Sequence, residues 1–294
     1  MVCLLGMLAV GLGGSATASS GEASENPLDK KLPTSTANRE AVAAEQSVST
    51  EPTLYVDGLR AGNATRVGDQ VYMGVRAFAE LVNEYTGMYA EVSWDAESDT
   101  VWLTAEGVSA SATAGDVFMQ CNGRYFYVPQ GMVNSGGTNY LPLEEMAKCF
   151  GLSVSWDEEN NVVNVDTAGA APAADADSYY DWESLYWMSR CINAEAGDQS
   201  MRGQLAVGNV IMNRVASGRF AQTSVKSVIF AEGQFDVVAL GMIYATPDAD
   251  AVIAAKMALE GYNVVPEALF FATFSFGGGY RVVEWIGAHC FMTR

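Results

Sequence analysis

The side chains of this 294-residue chain that could do chemistry are few, for it holds a single histidine, His289, and five widely spaced cysteines. Glu195 stands out among them by its position in the stretch CINAEAGDQSMRGQ, Cys191 to Gln204. Leu185, Met188 and Ile192 fall at i, i+3 and i+7 of a helical pattern, and Glu195 continues that stripe in the last turn, ahead of Gly197, which can end the helix. A carboxyl there meets a buried face and the negative end of the helix dipole, and both raise its pKa. A glutamic acid kept protonated near neutrality is what a glycosidic bond needs to protonate its leaving oxygen. The bland alternative is a carboxylate that is solvated or paired with Arg190 or Arg202. A hydrolase would need a second carboxylate, and Asp236 is a better candidate than Asp198, which lies just past the helix end and would point to solvent. Cys191 with His289 would instead suggest a peptidase, but that thiol lies toward the C-terminal part of its helix, where the dipole raises a thiol's pKa. One histidine and no C-x-x-C pair leave no metal site, and no cofactor is implied.

The elements that must position Glu195 begin at Tyr179, where the pattern becomes helical, with Ser178 or Asp181 as N-cap. The next helix, RGQLAVGNVIMNRVASG, is apolar around much of its circumference and is expected to be central. Asn213 and Arg214 near its end are expected to bind carbonyls there, with substrate contact the alternative.

These strings occur in a specific order. Ala194-Glu195 is followed by Gly203 to Arg214, Phe220 to Ile229, Gln234-Phe235 and Gly287 to Phe291. Over residues 179–294 this resembles the cell wall hydrolase family of SleB and CwlJ type, the spore cortex-lytic enzymes. The resemblance implies a mainly helical, lysozyme-like domain with a small sheet, acting on peptidoglycan glycan strands, with Glu195 as the catalytic residue. It is similar to lytic transglycosylases in working with one glutamate. Gln234 and Phe235 follow Gly233 in an expected loop, where an amide beside an exposed ring suits a sugar's hydroxyls and apolar face. His289 is a further cleft candidate through the resemblance. The segment Asp198 to Ser200 departs from the family pattern, so substrate choice is expected to be written there.

Upstream the sequence repeats itself. VSWDAESDTVWL, Val92–Leu103, returns as VSWDEENNVVNV, Val154–Val165, and VYMGVRAFAELV, Val71–Val82, corresponds to NYLPLEEMAKCF, Asn139–Phe150. Each copy reads as a strand, a short amphipathic helix and a hairpin turning on the polar cluster after Trp-Asp. Trp94 and Trp156 are expected to lock helix to sheet. The region 54–167 resembles the copper-amine-oxidase N-terminal-like stalk module of exported bacterial envelope proteins, with Gly74 standing where copy two has Pro142. It is expected to be a spacer or wall-binding module without copper, since the histidine lies elsewhere.

The expected fold class is therefore α+β, a β-rich duplicated stalk followed by the hydrolase-like domain. Residues 1–18 read as a signal peptide with Ala16-Thr17-Ala18 before the cleavage point, 19–53 as a disordered tether and 168–178 as a linker. The apolar start falls short of the roughly 20 residues a bilayer requires, so no stable membrane insertion is expected. Net charge is −19, of which residues 1–178 carry −16 and 179–294 carry −3. That sign disfavours nucleic acid and anionic lipid. The reading is a secreted or cell-envelope enzyme whose partner is peptidoglycan. Its alternatives are a non-catalytic envelope spacer and the Cys-His stem-peptide peptidase. The pairing of Cys121, Cys149, Cys191 and Cys290 stays open, as do protein partners.

Overall fold

The computed structural model describes residues 51–294. The signal peptide expected at 1–18, and the tether up to residue 50, lie outside the described residues. Two compact units divide the described chain, one running to Trp182 and taking in Lys256–Tyr262, the other comprising Glu183–Ala255 and Asn263–Arg294.

The first unit opens with β1 (Thr53–Val56), β2 (Leu59–Asn63), β3 (Thr65–Val67) and β4 (Gln70–Gly74), then α1 (Val75–Tyr85). Strands β5 (Glu91–Asp95), β6 (Thr100–Ala105), β7 (Val108–Thr113), β8 (Phe118–Cys121) and β9 (Arg124–Tyr127) follow and form one sheet in that order. After β10 (Val133–Ser135) and β11 (Thr138–Pro142) come α2 (Leu143–Cys149), β12 (Ser153–Asp157), β13 (Val162–Asp166) and the short α3 (Ala176–Tyr179). The other two sheets run β12-β13-β1-β2 and β10-β11-β4-β3.

The repeat is visible in the backbone. β4-α1-β5-β6 and β11-α2-β12-β13 are the same motif, and β4 and β11 pair antiparallel with Tyr140 opposite Gly74 and Pro142 opposite Tyr72. Both hairpins turn on an Asp or Asn in the left-handed region, Asp99 at φ 51 and Asn161 at φ 53. These residue types tolerate that conformation because their short polar side chains bond locally, which is why the polar cluster after Trp-Asp makes the turn. Helix α1 buries Val75, Phe78, Ala79, Leu81 and Val82 against the sheets, with Phe78 edge-on to Phe150 at 5.7 Å.

The two tryptophans differ from each other. Trp156 packs half-buried against the core beneath the Arg66 guanidinium, 4.9 Å from its ring, whereas Trp94, expected to do the same, is 44% exposed and lies outside that core. The segment 168–178, marked as linker by composition, is stitched down along this unit. Ala171 and Ala173 donate to the carbonyls of Phe150 and Cys149 at 3.0 Å, and the Asn122 amide donates to Ala173 at 2.8 Å. Small side chains allow this close approach, and the hydrogen bonds offset the ordering cost that composition alone suggests. Also within this unit, Arg124 makes a bidentate pair with Glu260 at 2.8 and 2.7 Å, and the Tyr180 hydroxyl donates to the same carboxylate at 2.6 Å.

The second unit is mainly helical, so the chain as a whole is α+β. It contains α4 (Trp182–Ala196), α5 (Met201–Ala216), α6 (Val225–Ile229), α7 (Asp236–Ala239), a 3-10 turn at Met242–Tyr244 and α8 (Ala249–Leu259), whose last turn counts with the first unit. Strands β14 (Phe270–Ala272), β15 (Arg281–Ile286) and β16 (His289–Thr293) form an antiparallel sheet with β16 in the middle. Helix α5 is buried at every position from Gly203 to Ile211, as a central helix should be. Among the described residues no helix is long and apolar enough to cross a membrane.

Candidate active site

Helix α4 buries Leu185, Met188 and Ile192, the stripe read from sequence, with Cys191 buried beside them, and Glu195 sits half-buried in its last turn. Gly197 ends the helix for a steric reason. It is not left-handed; a Cβ there would stand 2.6 Å from the Asn193 carbonyl oxygen, so no larger residue fits the turn that follows Glu195. The carboxyl of Glu195 makes no hydrogen bond or ion pair among the described residues. The two arginines that could have neutralised it are engaged elsewhere: Arg202 pairs with Glu284 at 2.8 Å through both oxygens, and Arg190 lies 3.6 Å over the Tyr186 ring.

Burial is the first cause that pushes the Glu195 pKa up to about 7, and the negative charge of Asp236 adds to it, while Arg214 opposes both. Asp236 opens α7 and is exposed. Arg214 is buried, donates from Nε to the Leu269 carbonyl at 2.8 Å and lies 5.1 Å from the Phe235 ring, 5.4 Å from Phe220 and 5.6 Å from Phe270. A fixed cation set in an aromatic wall keeps the acid from being trapped in its neutral form, and the neighbouring carboxylate keeps it from ionising too early. The arrangement holds a carboxyl able to give and to take a proton near neutrality.

The other sequence candidates fare differently. Phe235 is only 4% exposed and packs 6.3 Å from Phe271, so it belongs to the wall and does not offer a face to substrate. The exposed ring of this segment is Tyr244, in an apolar lip with Leu240 and Met242 that the sequence reading missed. Asn213 is engaged inside the protein: its amide donates to the carbonyls of Val265 and Ala268, both at 2.9 Å, which uses both its N–H groups, and its oxygen accepts from Asn263 at 2.7 Å. Gln234 is half-buried in the loop before α7. His289 is buried edge-on to Phe271 at 5.3 Å, and its Nδ1 finds no partner among the described residues. Burial lowers its pKa, with Asp198 opposing. Cys191 is fully buried, and a thiol so enclosed cannot reach a polymer.

The departing segment Asp198–Ser200 has work of its own. The Gln199 oxygen accepts from the Ala288 backbone N–H at 2.9 Å, and Ser200 caps α5 by accepting from Gly203. Gly287 stands at the far side with φ 55, a conformation that side chains rarely adopt, and a Cβ there would lie 2.4 Å from that same oxygen and displace it. Gln199 thus ties the loop after Glu195 to the β15-β16 turn that leads into His289.

Residues 198–292 match the cell wall hydrolase family model, and residues 62–165 match the copper amine oxidase N-terminal domain model. Glu195 stands three residues ahead of the first match. A spore cortex-lytic enzyme of Bacillus cereus is 36% identical over 92 residues, 31% of this chain and 35% of that protein. Those of Halalkalibacterium halodurans and Bacillus subtilis are 31% identical over 140 residues and 32% over 126, covering 46% and 41% of this chain and 41% of each relative. The chain thus spans well under half the length of these relatives. The crystal structure of the catalytic domain of the Bacillus cereus SleB protein aligns at 31% identity with a TM-score of 0.36, over 38% of this chain and 91% of that one.

Proposed function

We propose that this chain, which carries a cell wall hydrolase domain behind a copper amine oxidase N-terminal-like domain, cleaves the glycan strands of peptidoglycan outside the cytoplasmic membrane. The observation that carries the reading is Glu195: desolvated at the end of α4, paired with neither Arg190 nor Arg202, and poised near neutrality between Asp236 and Arg214. In the mechanism favoured by a single carboxyl, Glu195 protonates the oxygen leaving N-acetylmuramic acid. The resulting carboxylate then takes the proton from that sugar's C6 hydroxyl, which attacks C1 and closes a 1,6-anhydro ring. One proton is given and one received, so no water is consumed. Arg214 and Asp236 set the balance between the two states, and Tyr244 is the ring available to a sugar face.

A second reading has a specific observation behind it. Asp236 is exposed and acts on Glu195, so it could hold a water as the base of a hydrolase. Digestion of purified sacculi followed by mass spectrometry separates the two: anhydro ends mark the transglycosylase, reducing ends the hydrolase. Glu195→Gln is expected to abolish fragment release with the fold intact, and undiminished release would overturn the role of Glu195. Cortex peptidoglycan is the first polymer to offer, because the named relatives are spore cortex-lytic enzymes. Cut stem peptides would restore Cys191, and a wild-type chain that binds sacculi and releases nothing would be a spacer.

A further inference from the structure

A groove of about 710 Å³ in the duplicated module is lined by Gly74, Arg76, Glu80 and Trp94 of the first repeat, with Asn139 and Tyr140 of the paired strand β11 beside them. The second repeat supplies an internal control, and at three equivalent positions it is closed where the first is open.

Gly74 and its counterpart Pro142 cap their helices with the same backbone, φ −59 and ψ 130 against φ −58 and ψ 129. The conformation therefore does not call for glycine. What glycine provides is space, since a Cβ at Gly74 would press on Thr138 at 3.1 Å, inside the groove. One turn along, Glu144 and Lys148 of the second repeat close an i,i+4 ion pair at 3.1 Å. In the first repeat the same positions carry Arg76 and Glu80 in the reverse and weaker order, and neither has an ion pair or hydrogen bond among the described residues. Finally, Trp156 is capped by Arg66, whereas Trp94 has no ring or cation partner among the described residues and is 44% exposed.

We propose that this groove binds a peptidoglycan strand with its peptide stems, as a second substrate contact separate from Glu195. The proposal rests on the reading that the chain acts on that polymer. An open indole offers a flat apolar surface to the C–H face of a sugar ring. Asn134 donates to Asn139 at 2.6 Å, which leaves the Asn139 N–H groups and the Asn134 oxygen for acetamido and hydroxyl groups. The free guanidinium of Arg76 suits a carboxylate and the free carboxylate of Glu80 suits an ammonium, and stem peptides carry both. A binding site joined to a catalytic one raises the local concentration of insoluble substrate without altering the chemical step.

The test uses the full chain with Glu195→Gln, so that the strand survives, in sedimentation with purified sacculi. Trp94→Ala is expected to weaken retention about tenfold, and Trp94→Tyr to keep most of it. Arg76→Ala is expected to weaken retention on intact sacculi and to have no effect on glycan stripped of its peptides. Retention by Trp94→Ala within about twofold of the parent overturns the proposal. So does a parent that is dimeric only while Trp94 is present, because the occupant is then a second copy. Fragment release by the chain with Glu195 intact is read separately. Release without Trp94-dependent retention sinks the groove alone, and Trp94-dependent retention without release sinks the catalytic reading alone.

Discussion

Glu195 is held against its own ionisation, and this gives it two pH signatures. As a general acid it must be protonated, so kcat/KM is expected to fall along an alkaline limb near pH 7, where its pKa lies. Asp236 raises that pKa, so Asp236→Asn should move the limb to lower pH; a pH-rate profile in which the limb stays put would remove Asp236 from the site. The second signature concerns stability. The folded-state pKa lies above the usual 4.5, so between those values the folded chain holds a proton that the unfolded chain has released. The contribution is favourable below pH 4.5 and is lost as the pH rises through 7. Replacing the acid with Gln removes the penalty, and Glu195→Gln is expected to be more stable by on the order of 2 kcal/mol at pH 8, with no gain at pH 4. Thermal denaturation at the two pH values checks it, and a gain of equal size at both would mean that burial of the charge is not its origin.

Elements decide where that carboxyl points. Helix α4 delivers Glu195, and the turn after it is fixed by the absence of a Cβ at Gly197, 2.6 Å from the Asn193 oxygen. Gly197→Ala must push that turn aside, so activity is expected to drop at least tenfold for a modest stability loss of about 1–3 kcal/mol. Activity retained at the parent level would show that the turn relaxes without moving Glu195. Helix α5 works from the other side, its Asn209 and Asn213 accepting and donating hydrogen bonds with the segment 263–268. Asn213→Ala strands the Ala268 carbonyl and removes one of the two donors to the Val265 carbonyl, which also accepts from the Ala268 N–H, and is expected to cost about 2 kcal/mol while KM holds. A rise in KM at unchanged stability would return Asn213 to the substrate, where the sequence reading had left it as a candidate.

At the scale of the whole molecule, residues far apart in sequence close the first unit. The Glu260 side chain is 4% exposed and is held by Arg124 and Tyr180. Arg124→Met leaves that carboxylate buried without its cation, which is expected to cost roughly 3–5 kcal/mol in chemical denaturation. The double variant with Glu260→Gln should recover part of it, and additive losses would mean that the pair is not coupled. Nothing in the composition of residues 256–262 announces that they count with the stalk unit, because the last turn of one apolar helix looks like any other.

Local periodicity and the repeat were sufficient for the α+β class, for the two strand-helix-hairpin copies, and for the stripe that places Glu195 on the buried side of α4. These follow from interactions within a few residues, or from a pattern that the chain states twice. Pairing across long separations was not available from such patterns. Which arginine faces Glu195, that Phe235 turns inward while Tyr244 turns out, that residues 168–178 dock instead of swinging free, and that one repeat stays open where the other is sealed were all decided by tertiary structure. Each depends on which surfaces meet once the chain has folded, and a hydrogen bond or an ion pair forms only where packing has already brought its two ends together.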